Sequence, residues 1–309
     1  MVLRVTREAM GTEFQIVLSG ADERELERAA NYALDEVERL DAQMSLYRPD
    51  SELCWVNAHA AAAPVKADPG LYRVLDCARR IGDETGGAFD VTVAPLMQCW
   101  RFFRGQGALP PPGEVEQVLA LVGMRHVRLD PQARTVSFDR EGVTLDLGGI
   151  AKGYAVDRAT ALLRECGVTS ALVHGGWSTV YGLGRAPDGE PWRVGIRHPH
   201  DAERRVCAVE LTDAALSTSG SYEKSFEVDG VVYSHILDPR TGQPAQGMLS
   251  VSVVTRNALE ADALSTALFV LGPERSREYC QARPGLRAIL VQDRGKGTEP
   301  EAELIGPVQ

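Results

Sequence analysis

The chain lacks any long hydrophobic run. No window approaches eighteen apolar residues, so no membrane-spanning helix is expected. It also lacks a basic excess: 33 Lys and Arg stand against 43 Asp and Glu, a formal net charge of -10. That balance argues against nucleic acid or an anionic membrane surface as partner. Cysteine is sparse, with six residues at positions 54, 77, 99, 166, 207 and 280. None forms a CxxC pair and no histidine sits at ligand spacing, so neither a disulfide framework nor a zinc site is expected. Aromatic residues make up only 6%. Several catalytic signatures are missing too: GxxxxGK[ST], GxSxG, HExxH, and GxGxxG in a strand-to-helix setting. The opening MVLRVTREAMGTEF carries charges at Arg4, Arg7 and Glu8, with no apolar stretch or lipid-attachment cysteine after it. A cytoplasmic location is therefore expected of the sequence as written, and a periplasmic one if an export segment has been trimmed.

What is present suffices for one large core or two coupled ones: 309 residues, 44% apolar, with 30 Gly and 17 Pro for tight turns. Residues 3–8 and 12–18 alternate as a strand pair around Met10-Gly11. A long helix follows, with Leu26, Ala30, Ala33, Val37 and Leu40 on one face. Asp68-Pro69 starts another helix that Gly86-Gly87 ends. The breaker Pro110-Pro111-Pro112-Gly113 suggests a lobe boundary near 108–113. Beyond it, 127–130 and 135–139 read as a hairpin and 143–147 as a buried strand entering a helix from about 150 to 166. Strands dominate 170–255, helices are expected at 258–271 and 274–282, and a last strand at 286–292. The remaining 293–309 read as a polar, mobile tail. The pattern is α+β rather than a regular βαβ series, with residues 1–292 as a single domain.

Four segments could carry chemistry. In Leu145-Asp146-Leu147-Gly148-Gly149-Ile150-Ala151-Lys152-Gly153, paired glycines open a helix and bring backbone N–H groups toward an anion, with Lys152 adding a charge. The same turn would also serve simply to pack a helix on a strand. Asp262 and Thr266 lie four apart on one helix face, a placement that suits a hard cation such as Mg²⁺. A dipole-favoured Asp and a Thr bonding back to a carbonyl would look alike. His235, just before Pro239-Arg240-Thr241-Gly242, is either a general base or a histidine satisfied within its own turn. Tyr47, in one loop, and Ala88-Phe89-Asp90, in another, either hold a planar ring or plug the core.

Together these segments resemble the ApbE family, the FAD:protein FMN transferases. The motifs run in the family's order as MGTEFQI, SLYRPDSELCWVN, TGGAFDVTVAPL, LDLGGIAKGYAVD, ALSTSGSYEKSFEVDGVVYSHILDPRTG and SVVTRNALEADALSTALFVLG. SHILDPRTG and EADALSTALF are the most specific. The resemblance implies two sheet-containing lobes flanked by helices with FAD between them. It implies FAD contacts at Met10, Tyr47, Ala88, Phe89, Asp90, Asp146, Lys152 and Ile236. It further implies Mg²⁺ on the Gly149 carbonyl, Asp262 and Thr266, with His235 as base toward an acceptor Thr or Ser. The activity implied is Mg²⁺-dependent FMN transfer from FAD onto a Thr/Ser flavinylation motif of an acceptor protein, a redox-complex subunit, with release of AMP. An FAD pyrophosphatase and a non-catalytic FAD-binding protein would draw on the same residues. Two positions depart from the family pattern. Trp177-Ser178-Thr179 follows the GG pair where an Asp or Asn is common, and Ser221 replaces a frequent acid. Both bear on acceptor choice and local charge.

Overall fold

The computed structural model describes residues 1–103, 105, 107–295 and 299–306. Its centre is an eight-stranded sheet in which every neighbouring pair is antiparallel. From one edge to the other the strands are Val2–Ala9, Thr12–Ser19, Ala171–Gly175, Thr179–Leu183, Ala214–Gly220, Met248–Thr255, Arg287–Gln292 and Ala302–Ile305. They therefore occur across the sheet in chain order, and everything else is inserted between neighbours. The first two are joined by Met10 (φ +52°) and Gly11 (φ +70°) between the paired Ala9 and Thr12. This is the two-residue hairpin loop whose twist matches the strands, and Met10 accepts a left-handed backbone that costs about 1–2 kcal/mol.

The longest insertion separates Ser19 from Ala171 and carries most of the helices plus a three-stranded sheet of Val65–Lys66, Val127–Asp130 and Thr135–Phe138. Helix Glu23–Met44 begins where the Asp22 side chain accepts the N–H groups of Arg24 and Glu25. It buries Leu26, Ala30, Ala33, Leu34, Val37 and Leu40 at helical spacing. Helix Pro69–Glu84 is capped by Asp68, with Pro69 in its first turn, and stops at Thr85 before the left-handed Gly86 and Gly87. Helices Glu23–Met44, Ala151–Glu165 and Ala258–Gln281 pack side by side over one face of the large sheet. The last kinks at Gly272 (φ +76°) followed by Pro273, in agreement with two helices expected from the sequence. Phe269, Leu268, Leu264 and Ile16 are among the buried side chains of this layer, each stabilising by roughly 1.5–3 kcal/mol. Over the other face folds the hairpin Trp192–His198 and Asp201–Leu211, which closes a smaller core of Val180, Trp192, Ile196, Val209, Leu211 and Leu216.

Two expectations change. Residues 143–147 join no strand ladder. Their backbone is tied by side chains and a loop instead: the Asn57 amide brackets Leu145 from both sides, and the Asp146 N–H donates to the Val91 carbonyl. Nor is the tail uniformly without structure, because Ala302–Ile305 forms the edge strand beside Arg287–Gln292. Arg277 reaches Glu303 there with two hydrogen bonds. Residues 296–298 and 307–309 of that expected tail lie outside the described residues. Among the described residues no helix is long and apolar enough to cross a membrane.

Candidate active site

The site is built where the first turns of two helices cross. Helix Ala151–Glu165 has no side-chain cap of its own at Ile150. One of its unpaired first-turn donors, the Gly153 N–H, goes to Asp262 Oδ2 at 2.9 Å, on helix Ala258–Gln281. In return Asp157, on the first helix, accepts the N–H groups of Ala258 (2.7 Å) and Leu259 (3.0 Å), at the start of the second. Glycine is required at the crossing. A methyl group on Gly153 would lie 2.2 Å from the Ala258 carbonyl oxygen. The first N–H groups of the second helix are taken by Asp157 and Asn257, so the helix end left open to an anion is the glycine turn that starts the first.

Asp262 is 4% exposed. Its Oδ1 accepts the hydroxyls of Ser217 (3.1 Å) and Thr179 (3.3 Å) from the large sheet. One turn on, Thr266 Oγ1 lies 3.0 Å from Ser219 Oγ. Ser217 and Ser219 share a sheet face by the two-residue period, and this strand thus serves both helix residues. The glycine turn comes to the same place, since a methyl group on Gly149 would lie 3.6 Å from Thr266 Oγ1 and 3.3 Å from the Phe89 ring. Because the Gly153 N–H turns to Asp262, the Gly149 carbonyl accepts no hydrogen bond among the described residues. Gly149, Asp262 and Thr266 are therefore brought together, an all-oxygen donor set suited to Mg²⁺ with phosphate or water completing it. Among the described residues no group of three or more His, Cys, Asp or Glu is gathered to hold a metal without such help.

Asp146 bends back in its own turn to accept the Gly148 N–H at 2.8 Å. Burial pushes its carboxyl upward, and the charges of Lys152 and Lys224 oppose that. Lys152 Nζ donates to the Gly148 carbonyl at 3.1 Å. Burial lowers the His235 pKa to about 4; the hydrogen bond to the Lys224 carbonyl opposes this, and the Lys224 and Lys152 charges add to it. The His235 Nδ1 is 3.1 Å from the Lys224 carbonyl oxygen, which can only accept. The proton therefore sits on Nδ1, leaving Nε2 with a free lone pair. Ile236 is buried and its carbonyl accepts the Ala245 N–H, while its own N–H donates to nothing among the described residues.

The Ala88-Phe89-Asp90 segment divides. Ala88 and Phe89 are buried, and Phe89 touches the glycine turn. The Asp90 carboxylate instead accepts the Thr92 N–H, the Thr92 hydroxyl and the Met124 N–H, tying its loop to the small sheet. Burial raises its pKa and these bonds lower it. Tyr47 is half exposed and stacks on Phe103 at 4.9 Å. Met10 occupies the left-handed hairpin turn beside Gly176, whose N–H donates to the Glu13 carbonyl. Trp177 follows there, 90% exposed. Sequence reasoning missed Thr179, Ser217, Ser219, Asp157, Gly153 and Lys224. The alternating hydroxyls of STSG were a usable signal; the reciprocal caps were not, because they join positions about a hundred residues apart.

The sequence profile of the ApbE family matches residues 10–290. The FAD:protein FMN transferase of Salmonella typhimurium is 34% identical over 297 residues, covering 93% of this chain and 83% of that protein. That of Treponema pallidum is 37% identical over 278 residues, covering 84% and 76%. Among solved structures, the ApbE protein of Thermotoga maritima superposes with a TM-score of 0.87 at 32% identity, covering 98% of this chain and 97% of that one. The apo flavinyl transferase ApbE of Pseudomonas stutzeri gives 0.85 at 32% identity, with 99% and 95% covered. A match across nearly the whole length, at that identity and with one α+β fold, leaves a single assignment: the chain is a member of the ApbE family.

Proposed function

We propose that the chain transfers FMN from FAD to a Thr or Ser hydroxyl of an acceptor protein, with Mg²⁺, releasing AMP. The observation that carries this reading is His235, held neutral by burial with Nδ1 on the Lys224 carbonyl and Nε2 free, and feeling the charge of Lys152 from the glycine-turn helix. A protein that merely bound FAD would gain nothing from a base poised there. Relatives bearing the name FAD:protein FMN transferase support the same reaction class.

The glycine turn at the start of helix Ala151–Glu165 and Lys152 orient the pyrophosphate. Gly149, Asp262 and Thr266 would hold Mg²⁺, which when bound neutralises pyrophosphate oxygens and eases departure of AMP. His235 Nε2 takes the proton of the acceptor hydroxyl. The hydroxyl oxygen bonds to the FMN-side phosphorus as the bridging P–O bond breaks, and the electron pair leaves with AMP. Ala88 and Phe89 wall the glycine turn, and the Ile236 N–H remains free to bond the nucleotide. Water in place of the acceptor would make the chain an FAD pyrophosphatase with the same residues.

The two outcomes separate by stoichiometry. With FAD, Mg²⁺ and a protein carrying a small-residue Thr motif, one covalent FMN should appear on the acceptor for each AMP released, read by intact mass. Steady AMP and free FMN without an adduct would replace transfer by hydrolysis.

A further inference from the structure

Two hydroxyls on one face of strand Ala214–Gly220 serve helix Ala258–Gln281 in opposite senses. Ser217 donates to Asp262 Oδ1 at 3.1 Å, so its hydrogen goes to a carboxylate. Ser219 stands between two helix hydroxyls, 2.9 Å from Ser265 Oγ and 3.0 Å from Thr266 Oγ1. The direction of those two bonds is set from the far end. Ser265 Oγ lies 2.9 Å from the Asp262 main-chain carbonyl oxygen. A carbonyl can only accept, so the Ser265 hydrogen lies between them. Ser265 then has no hydrogen left for Ser219, and the one in their contact comes from Ser219. Ser219 in turn has none left for Thr266, so Thr266 is the donor there. The chain of bonds runs from Thr266 to Ser219, to Ser265, to the Asp262 carbonyl.

A helical threonine commonly turns its hydrogen back to the carbonyl four residues earlier. For Thr266 that carbonyl is Asp262, which already holds the Ser265 hydroxyl. Among the described residues Ser219 is the one side-chain partner of the Thr266 hydroxyl. With its hydrogen drawn to the sheet, Thr266 Oγ1 keeps both lone pairs. The same oxygen borders the glycine turn, since a methyl group on Gly149 would lie 3.6 Å from it. A hydroxyl serves a hard cation through its lone pairs, and one that points its hydrogen at the cation repels it. Resting on the Mg²⁺ site of the transfer reading, we infer that Ser219 is a positioning residue for the cation: it takes the Thr266 hydrogen, in a direction that Ser265 fixes, so that Thr266 presents lone pairs to Mg²⁺.

The test uses the full chain with FAD and Mn²⁺ as the spectroscopic probe of the Mg²⁺ site. Free Mn²⁺ is read by electron paramagnetic resonance, and Mg²⁺ is added to displace it. Ser219→Ala should weaken both ions about fivefold, the worth of one hydrogen bond. The KM for Mg²⁺ in AMP release should rise by the same factor, with kcat at saturating Mg²⁺ held. Ser219→Thr keeps a hydroxyl and should restore the affinity. In a Thr266→Val background Ser219→Ala should cost nothing further, because no hydroxyl remains to be turned. Unchanged affinity in Ser219→Ala overturns the proposal, and so does an equal loss in the Thr266→Val background, the mark of a packing effect. Ser219 is only partly buried, and thermal melting without metal verifies folding. Ser265→Ala, which suits a helix, is the second variant: it should weaken Mn²⁺ by a smaller factor, and unchanged affinity there also counts against the chain of bonds. A wild type that takes up neither ion beside FAD removes the metal reading and this proposal together. Normal uptake with a silent Ser219 removes this proposal alone.

Discussion

Asp157 and Asp262 sit on crossing helices, and each caps the start of the other's helix. They differ in what else holds them. Asp157 spends both oxygens on backbone N–H groups, and burial pushes its pKa up to about 6 against those bonds. Asp262 gives one oxygen to the Gly153 N–H and the other to two hydroxyls. A backbone N–H has one direction and no alternative partner inside a helix, whereas a Ser or Thr hydroxyl can rotate away. One carboxylate is thus locked as a structural cap and the other can be shared with a ligand. Chemistry therefore falls on the side where the donors are replaceable.

The contrast can be broken at three points. Asp262→Ala should have the largest effect. It removes the anionic member of the oxygen set and leaves a buried N–H unpaired, so AMP release should fall by about 10²–10³-fold and stability by about 1–3 kcal/mol. An unchanged Mg²⁺ titration in that variant would take Asp262 out of the site. Gly153→Ala comes next. Its methyl group has no room against the Ala258 carbonyl, so the helices must separate, costing about 1–3 kcal/mol and lowering activity through Asp262. Denaturant melts and activity should fall together, and a loss in only one of them would uncouple the crossing from the site.

Asp157→Asn should have the smallest effect on activity. Its pH dependence is distinctive, because a carboxyl whose folded pKa is about 6 prefers to be protonated in the fold. The stability it contributes is complete below its unfolded value near 3.9 and lost as pH rises through 6. The Asn variant should lack that decline, so the gap between the two melting curves should change between pH 4 and pH 7. Parallel curves would mean that Asp157 titrates normally.

Local chemistry made much of this legible in the chain. Asp68-Pro69, Gly86-Gly87 and Met10-Gly11 mark their boundaries because caps and left-handed turns act over a few residues. Asp262 and Thr266 were visible as a helix-spaced pair, and the family motifs named their companions. Residues 143–147 misled because a buried apolar run suits a strand and equally suits a segment tied by Asn57 and Val91. The Asp157 cap and the Lys224–His235 contact were hidden for a common reason: each depends on where the fold sets a backbone carbonyl or N–H group, and no side-chain pattern records that. Asp90, read as an FAD contact, spends its carboxylate on Thr92 and Met124, a role that also leaves no trace in spacing.

The most direct measurement is single-turnover transfer by His235→Ala beside the wild type, with FAD binding matched by fluorescence and covalent FMN on the acceptor read by mass. The account predicts that the variant keeps FAD affinity while adduct formation slows by about 10²–10⁴-fold. Transfer at the wild-type rate would show that the base lies elsewhere and would contradict the assignment of this site.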